Sequence, residues 1–413
     1  MKKNILFAAL LFGALLSCKK KSFTEEPIPP TLPPIELGYS KLTTEQNKQA
    51  LEQNGLDFIK KINTLPEEKF ISLIERLGDL DLEALSNTIV GRELESIARS
   101  AKSKQVAGIF SAVTTNDVKN TTDLSNFYGI YNWNSKNENW DKTASTSKFE
   151  VHYPSTVASK TNDALLTVSY TASKAKLTVD EEEYELPAAT NITLTVGEKE
   201  ELKLTGVYEY KTDATPTKVD VKLNLGTFQL VVLANNDSKI LATSVALTKD
   251  KSPIFSATTN VNLNEKYPAL EDLEQIDEIV KSANMTFEVM NIKITGQANI
   301  KAIQDEYEAN KGLSQKDRRT KEIATLNKNT SLFAVYKDKN EVFAKNEFVR
   351  IESTRTDWNY NPISNRYEPT TYAYFELEPR LVFNDESKMT LKTFFGSGFT
   401  RFVDEFEIFT NKF

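Results

Sequence analysis

The run of residues 201–247, ELKLTGVYEYKTDATPTKVDVKLNLGTFQLVVLANNDSKILATSVAL, decides the fold. Three stretches within it are rich in Val, Leu, Thr and Tyr and alternate apolar with polar side chains, which is the period of a β-strand. The stretches are 201–210, 218–233 and 240–247, with polar turns at 212–217 and 235–237. Consecutive strands joined by short turns predict an antiparallel meander.

The same alternation recurs on both sides of this run. Trp133 and Trp140 flank a polar turn, so the spacing predicts that they face each other across a hairpin. The other predicted strands are 165–170, 175–179, 191–196, 285–294, 331–337, 341–343, 347–356, 371–377 and 380–383.

The segment before the strands has helical periodicity. Thr43 and Gln46 have the spacing of a capping box, and a second helix is predicted to start at Pro66. That helix is expected to bury Phe70, Leu73, Ile74 and Leu77. Further helices are predicted near 270–282, 300–327 and 398–410, the last behind the cap Ser397 and with a buried stripe formed by Phe399, Phe402, Phe406 and Phe409.

These patterns predict an α+β fold. We expect an N-terminal helical subdomain, followed by an extended curved antiparallel β-sheet with helices on one face. The expected organisation is a signal peptide over 1–17, a Pro-rich tether over 18–40, the helical subdomain over 41–105 and the sheet domain over 106–413.

The N-terminus has the order of charge and hydrophobicity that a secretion signal needs. Lys2 and Lys3 precede an apolar run over 5–16, which is too short to span a bilayer. The following segment is rich in proline, which favours an extended chain and predicts a stand-off tether.

Residues Leu15-Leu16-Ser17-Cys18 resemble the lipobox of bacterial lipoproteins. The resemblance implies cleavage before Cys18 and acylation of its thiol, with chains such as palmitate holding the protein on a membrane. Lys19 stands where an Asp would imply inner-membrane retention, so the resemblance implies the outer membrane. A signal for export to the cell surface resembles an acidic run just after the Cys. This chain has three Lys at these positions, which favours the periplasmic face over the cell surface.

Four further segments resemble large uncharacterised outer-membrane lipoproteins of Bacteroidota. They are the hairpin 128–140, the segment 285–296, and the closing segments 382–388 and 394–399. The shared motifs are turns and aromatic strands. That family brings no established activity, so the resemblance implies no catalytic residues.

Composition makes several functions unlikely. Without Lys2 and Lys3 the chain has 49 basic against 58 acidic residues, a net charge near −9, which argues against nucleic-acid binding. His152 is the one histidine and Cys18 the one cysteine, so Cys sites and His-pair metal sites are excluded. We expect no cofactor and no metal, and we interpret His152 as a surface residue at a strand end.

One cluster has the composition of a ligand site. Trp358, Tyr360, Tyr367, Tyr372 and Tyr374 surround a polar loop that includes Arg366. Rings beside amide and guanidinium donors are typical of sites that stack on sugars or lipids, so the candidate ligand-binding residues are Trp358, Tyr360, Arg366 and Tyr367. The alternative is a long hairpin whose aromatic side chains cover the sheet.

The charged clusters have simpler explanations. Glu181–Glu183 read as a solvated turn, and Asp404, Glu405 and Glu407 read as the polar side of the last helix. Five basic residues from Lys311 to Lys321 would suit lipid phosphates, but a solvated helix face is the favoured interpretation.

Two classes of function remain. The first is a membrane-anchored non-catalytic lipoprotein, a binding or scaffold module for an outer-membrane protein partner or an apolar or lipid ligand. The alternative is a glycan hydrolase that uses carboxylates. The absence of a catalytic constellation in the sequence favours the first class, in which the protein is not an enzyme.

Overall fold

The computed structural model describes residues 37–80, 128–179, 182–237, 239–265 and 279–410. The predicted signal peptide, Cys18 and most of the tether lie outside these residues, as does the predicted helical segment 81–105. The described residues belong to two compact units. Unit 1 takes those within 1–52, 259–267 and 272–399, and unit 2 takes those within 53–258, 268–271 and 400–413.

The described chain is mostly β-strand, with helices before, between and after the strands. The strands are β1 Gly129–Asn134, β2 Asn139–Thr143, β3 Phe149–Tyr153, β4 Ala164–Val179, β5 Glu182–Val196, β6 Lys199–Tyr210, β7 Pro216–Leu225, β8 Phe228–Asp237, β9 Ile240–Lys249, β10 Ser252–Leu263, β11 Val280–Val289, β12 Ile292–Ala298, β13 Thr330–Tyr336, β14 Glu341–Asn361, β15 Arg366–Val382 and β16 Lys388–Thr390. The helices are α1 Thr44–Ile62, α2 Lys69–Gly78, α3 Ile300–Ala309, α4 Gln315–Asn329, α5 Leu391–Phe395 and α6 Thr400–Thr410, with a 3₁₀ turn at Leu65–Glu67.

The sixteen strands of the described residues form one open, mixed sheet. From β3 to β16 their order in the sheet follows the chain, as the meander prediction requires. The expectation of a purely antiparallel sheet is wrong at one edge, where β1 pairs in parallel with β3. The reason is local: β2 returns antiparallel to β1 as a hairpin, and the chain then crosses to the other edge of β1.

In unit 2, alternation along each strand sorts the side chains into two faces. On one face, Leu166, Leu194, Leu202, Leu225 and Phe228 lie opposite one another across β4 to β8. The adjacent row on the other face is polar, from Thr167 to Thr248. The apolar face is where α2 packs, with its predicted set Phe70, Leu73, Ile74 and Leu77 buried together with Ile71.

The predicted strand 218–233 is two strands, β7 and β8, joined by a tight turn at Gly226 and Thr227. Gly226 has a φ of 59°, which favours glycine, and a Cβ there would collide with the carboxyl group of Glu68. That carboxyl accepts hydrogen bonds from the backbone N–H and the hydroxyl of Thr227. The turn between β7 and β8 is therefore hydrogen-bonded to Glu68, the residue just before α2.

In unit 1, the predicted capping box forms at the start of α1. The hydroxyl of Thr43 accepts from the N–H of Gln46 (3.3 Å), and the Gln46 side chain accepts from the N–H of Thr43 (2.9 Å). A hydrophobic core on β12 to β15 and the C-terminal segment packs against Leu42, Ala50 and Leu51, which flank and follow this cap. Its buried members are Ile292, Tyr336, Phe343, Ala344, Phe383, Phe394 and Phe399.

The N-terminal segment 38–40 is tied to the start of β14. Ser40 N–H donates to the carbonyl of Val342 (2.7 Å), and Val342 N–H donates to the carbonyl of Gly38 (2.9 Å). Leu37 and Tyr39 pack against Val342 and its buried neighbours on β13. The chain therefore enters unit 1 at the beginning of the long strand β14.

Two predicted helices need correction. The helix near 300–327 is two helices, α3 and α4, because the chain turns at 310–314 and Ser314 caps α4 by accepting from the N–H of Asp317 (3.2 Å). The helix near 270–282 lies mostly outside the described residues, but Val280–Ser282 belong to β11. β11 lies between β10 and β12 in the sheet, and this strand environment overrides helical spacing there.

The last predicted helix forms as α6, but of its predicted buried stripe only Phe399 is buried. Phe394 and Phe399, which precede α6, are buried, whereas no residue within α6 is. Phe402, Phe406 and Phe409 stack on one another, with ring centroids 5.7 and 6.0 Å apart. The rings thus share a helix face without entering a core.

Candidate functional site

The candidate ligand-binding residues lie on the longest hairpin of unit 1. The strands β14 and β15 pair without interruption from Lys345↔Val382 to Asn361↔Arg366. We call residues 353–374, which include the turn 362–365, the ribbon. Most side chains of the ribbon are exposed, whereas the inner part of the hairpin contributes buried residues such as Phe348 and Phe375.

Just before the ribbon, the element that lies beside the outer edge of β14 changes from β13 to α4. The pairing of β13 with β14 ends at Lys345, and α4 continues beside β14 from there. The amide group of Asn327 donates to the carbonyl of Phe348 and accepts from its N–H, both at 2.8 Å, as a neighbouring strand would. Arg350 also donates to the Thr320 hydroxyl (2.8 Å). These contacts hold the base from which the ribbon extends.

The register of the hairpin divides the predicted aromatic cluster between two faces. Tyr360 lies opposite Tyr367, and Trp358 lies opposite Pro369, so these side chains share one face. Arg366, Tyr372 and Tyr374 lie on the other face, since they stand an odd number of residues from Tyr367. The structure therefore brings together three of the four candidate residues, Trp358, Tyr360 and Tyr367, and places Arg366 behind them.

The end of the ribbon exposes large apolar side chains. The exposed fractions are 63% for Trp358, 52% for Tyr360 and 67% for Tyr367. The two tyrosine rings meet edge to face, with centroids 5.5 Å apart. Ile363, in the turn, is 95% exposed and was missed as a candidate, although an apolar residue between Pro362 and Ser364 was the available signal. We call Trp358, Tyr360, Ile363 and Tyr367 the ribbon tip.

The polar groups beside Ile363 are bonded to one another. The Asn361 side-chain carbonyl accepts from the N–H of Ile363 (2.9 Å), and its amide nitrogen donates to Glu368 (2.8 Å). The Ser364 hydroxyl also donates to Glu368 (2.6 Å), and the Tyr360 hydroxyl donates to the side chain of Asn365. The hydrogen bonds from Asn361 and Ser364 hold the pKa of Glu368 below its usual value.

The other face of the ribbon carries a second small network. The Tyr372 hydroxyl donates to Asp357 (2.7 Å), and Arg355 pairs with the same carboxylate (3.1 Å). The Tyr372 hydrogen bond, with the charge of Arg355, lowers the pKa of Asp357. A glycosidase general acid needs a raised pKa. Neither Asp357 nor Glu368 has one.

The remaining candidates are dispersed. His152 lies within β3, half-buried, with Nε2 3.1 Å from Glu150. Although burial raises the pKa of Glu150, hydrogen bonds from His152 and Lys148 outweigh it and lower that pKa. Glu183 pairs with Lys176 at the exposed surface. The acidic residues of α6 are also exposed.

Three of the five residues of the predicted basic patch have carboxylate partners. Glu322 lies 2.6 Å from Arg319 and 4.0 Å from Arg318, and Glu308 pairs with Lys311. In the part of the chain that the structure describes, no cluster of His, Cys, Asp and Glu is arranged to hold a metal. Within the same part, no helix has the length and apolar character needed to cross a bilayer.

No known protein family, curated protein or solved structure matches this chain.

Proposed function

We propose that this protein is a non-catalytic lipoprotein that presents a binding or scaffold module at the outer membrane, with the ribbon as its contact element. The observation that carries the proposal is the ribbon tip, where four large apolar side chains are exposed on a paired, hydrogen-bonded frame. Exposing apolar surface to water is energetically unfavourable, and a cluster of exposed apolar side chains marks a contact site. The contact is either a protein partner or an apolar or lipid ligand.

The anchoring part of the proposal rests on the sequence. The apolar run and the lipobox-like residues before Cys18 support a lipid anchor, and Lys19 to Lys21 support the periplasmic face of the outer membrane. The Pro-rich tether would carry the folded units away from the lipid.

The proposal extends to a curved sheet with its helices on one face. Two separate observations support it: α2 packs on the apolar face of unit 2, and the first part of α1 packs on the core of unit 1. A sheet covered on one side would leave its other side and the ribbon for contacts.

The anchoring is tested by Cys18→Ala. We expect this variant to leave the membrane fraction or to stay unprocessed, because the acyl group is the proposed anchor. If the processed variant still sedimented with the outer membrane after a high-salt wash, the anchoring proposal would be wrong.

The contact element is tested by photo-crosslinking in cells. A photoreactive amino acid at Tyr367 should form adducts, with lipid or protein, that the same residue at Tyr307 does not form. Tyr307 is the matched control because it is an exposed tyrosine on α3 (44%) outside the ribbon. Equal adduct yields at the two positions would overturn the assignment of the ribbon.

A further inference from the structure

Deepening the proposed function, on which it rests, we propose that the ribbon tip enters the interface of the phospholipid bilayer that holds the anchor, with Ile363 leading. The occupant of the tip is then zwitterionic lipid, and no protein partner is needed to cover it. Ile363, Tyr360, Tyr367 and Trp358 are the residues that make the contact.

The order of side chains along the ribbon matches the depth profile of a bilayer surface. Ile363, which has no polar atom in its side chain, stands at the far end in the turn. The Tyr360–Tyr367 pair follows, and Trp358 stands two residues farther back, about 7 Å along the strand. Aliphatic side chains favour the acyl region, and Tyr and Trp favour the headgroup level.

Several polar groups at the turn already have hydrogen-bond partners within the ribbon, which lowers the cost of moving them out of water. Asn361 accepts from the backbone N–H groups of Ile363 (2.9 Å) and Ser364 (3.4 Å). The hydroxyl groups of Tyr360 and Ser364 each have an acceptor within the ribbon. A backbone group that loses water without another partner would oppose insertion.

The charges of the ribbon suit a zwitterionic surface. Arg355 and Asp357 neutralise each other. Arg366 has no carboxylate partner among the described residues, so its guanidinium is open to a lipid phosphate. The carboxylate of Glu368 stands two residues from Arg366 on the same face and can face a headgroup ammonium. The ribbon therefore carries one open charge of each sign, as such a headgroup does.

The exposed area of the tip is small for a protein interface. Its four side chains offer roughly 600 Å² if each fully exposed ring or chain contributes about 150–250 Å². A standard interface buries about 800 Å² on each partner. A bilayer has no fixed shape that the tip must complement, so a small apolar area is sufficient for binding there.

The length of the tether allows the anchor and the tip to reach one bilayer. The segment from Cys18 to Leu37 has 19 residue steps, which reach at most about 65 Å when extended. The N-terminal segment is tied at Val342, and the ribbon turn follows Asn361 at the far end of β14, about 63 Å away along the strand. A tilt of β14 toward the membrane shortens the required span further.

The test uses the intact lipoprotein in phosphatidylcholine–phosphatidylethanolamine vesicles that contain brominated lipid, which quenches nearby tryptophan. The chain has three tryptophans, and the other two, Trp133 and Trp140, pair with each other in unit 2. We expect quenching of Trp358 emission, strongest with bromine near the headgroup end of the acyl chain. The quenched component should disappear in Trp358→Phe.

A second measurement isolates Ile363. We expect Ile363→Ser to reduce Trp358 quenching at least threefold, whereas the matched control Val157→Ser should leave it unchanged. Val157 is an apolar loop residue of unit 2 that is 83% exposed. Equal quenching in Ile363→Ser and the wild type, or quenching that persists in Trp358→Phe, would overturn the proposal.

The failure of this inference is distinguishable from the failure of the proposed function. If Trp358 is not quenched but crosslinks from Tyr367 capture a defined protein, the tip binds protein and the bilayer inference is wrong, while the binding-module proposal stands. If neither quenching nor position-specific adducts occur, the ribbon is not a contact element and both are wrong.

Discussion

Two cross-strand aromatic pairs in this protein have nearly the same geometry and opposite surroundings. Trp133 and Trp140 meet edge to face across the β1–β2 hairpin at 5.1 Å, and Tyr360 and Tyr367 do so across the ribbon at 5.5 Å. Trp140 is only 8% exposed, whereas both tyrosines are more than half exposed. Strand register alone creates such a pair, but the neighbours decide whether it stabilises the fold or stays available for a contact.

The neighbours of the two pairs explain the difference. In unit 2, the Asn162 side chain donates to the carbonyl of Trp133 (2.9 Å), which holds the loop before β4 against the hairpin. Around Tyr360, the described hydrogen bonds stay within the ribbon. The first pair is therefore part of a packed unit, and the second stands on a two-stranded extension.

The largest expected effect comes from truncating the buried member of the first pair. Trp140→Ala should lower the free energy of unfolding by about 3 kcal/mol, because it removes a large buried ring and leaves a cavity. Tyr367→Ala should lower it by less than about 0.5 kcal/mol, since the ring is exposed. Urea denaturation followed by circular dichroism measures both. Equal losses would show that the ribbon pair is as important for stability as the buried pair.

A second contrast concerns tyrosine hydroxyls. The Tyr153 hydroxyl is buried and donates to the carbonyl of Leu73 (3.1 Å), which ties β3 to α2. Tyr153→Phe removes this buried hydrogen bond and should cost about 1 kcal/mol. Tyr372→Phe is the control, because its exposed hydroxyl can be replaced by water at Asp357. A melting temperature that falls equally in both variants would contradict the contrast.

A third contrast concerns acid sensitivity. Burial raises the pKa of Asp163, but hydrogen bonds from the backbone and hydroxyl of Ser155 outweigh it and hold that pKa below its usual value. A carboxyl with a lowered folded-state pKa stabilises the protein above its unfolded pKa of about 3.9 and loses that effect as pH falls through the folded value. Asp163→Asn should therefore cost about 1 kcal/mol at neutral pH, where the wild-type carboxylate accepts charge-assisted hydrogen bonds.

The measurement for Asp163 is the difference in unfolding free energy between variant and wild type across pH. The difference should shrink below about pH 4. Asp357→Asn is the control on the ribbon, where the carboxylate is exposed and contributes little. A difference for Asp163→Asn that stays constant with pH would show that its charge is not what matters.

The smallest expected effect on stability comes from Ile363. Ile363→Ser should change the free energy of unfolding by less than about 0.5 kcal/mol, because the side chain contacts water and not a core. Differential scanning calorimetry checks this in the absence of lipid. A clear loss of stability would show that Ile363 packs within the protein, and would remove it from the ribbon tip.

Local patterns were predictable where local interactions decide the structure. Alternation in 201–210 and 240–247 produced β6 and β9, and the capping box produced the start of α1. The Trp133–Trp140 pair also follows from spacing alone. In each case the residues that make the contact are close in the chain.

Predictions failed where distant residues decide the structure. The turn at Gly226 and Thr227 lies inside a run of alternating apolar and polar residues, and Thr227 donates to Glu68, which is far away in the sequence. The strands predicted at 347–356 and 371–377 continue into the much longer β14 and β15, because pairing between them carries the strands through residues of weak propensity. Their length could not be read from either segment alone.

By itself, the sequence determined the strand period, the helix caps and the kinds of side chain at the ribbon tip, because these depend on residues a few positions apart. Tertiary structure decided that β1 and β3 run in parallel, that Arg366 lies behind the three aromatic rings, and that no residue of α6 is buried. Those outcomes depend on register and on which surfaces meet. A residue's burial is a property of its neighbours in space, and the chain brings those neighbours together only on folding.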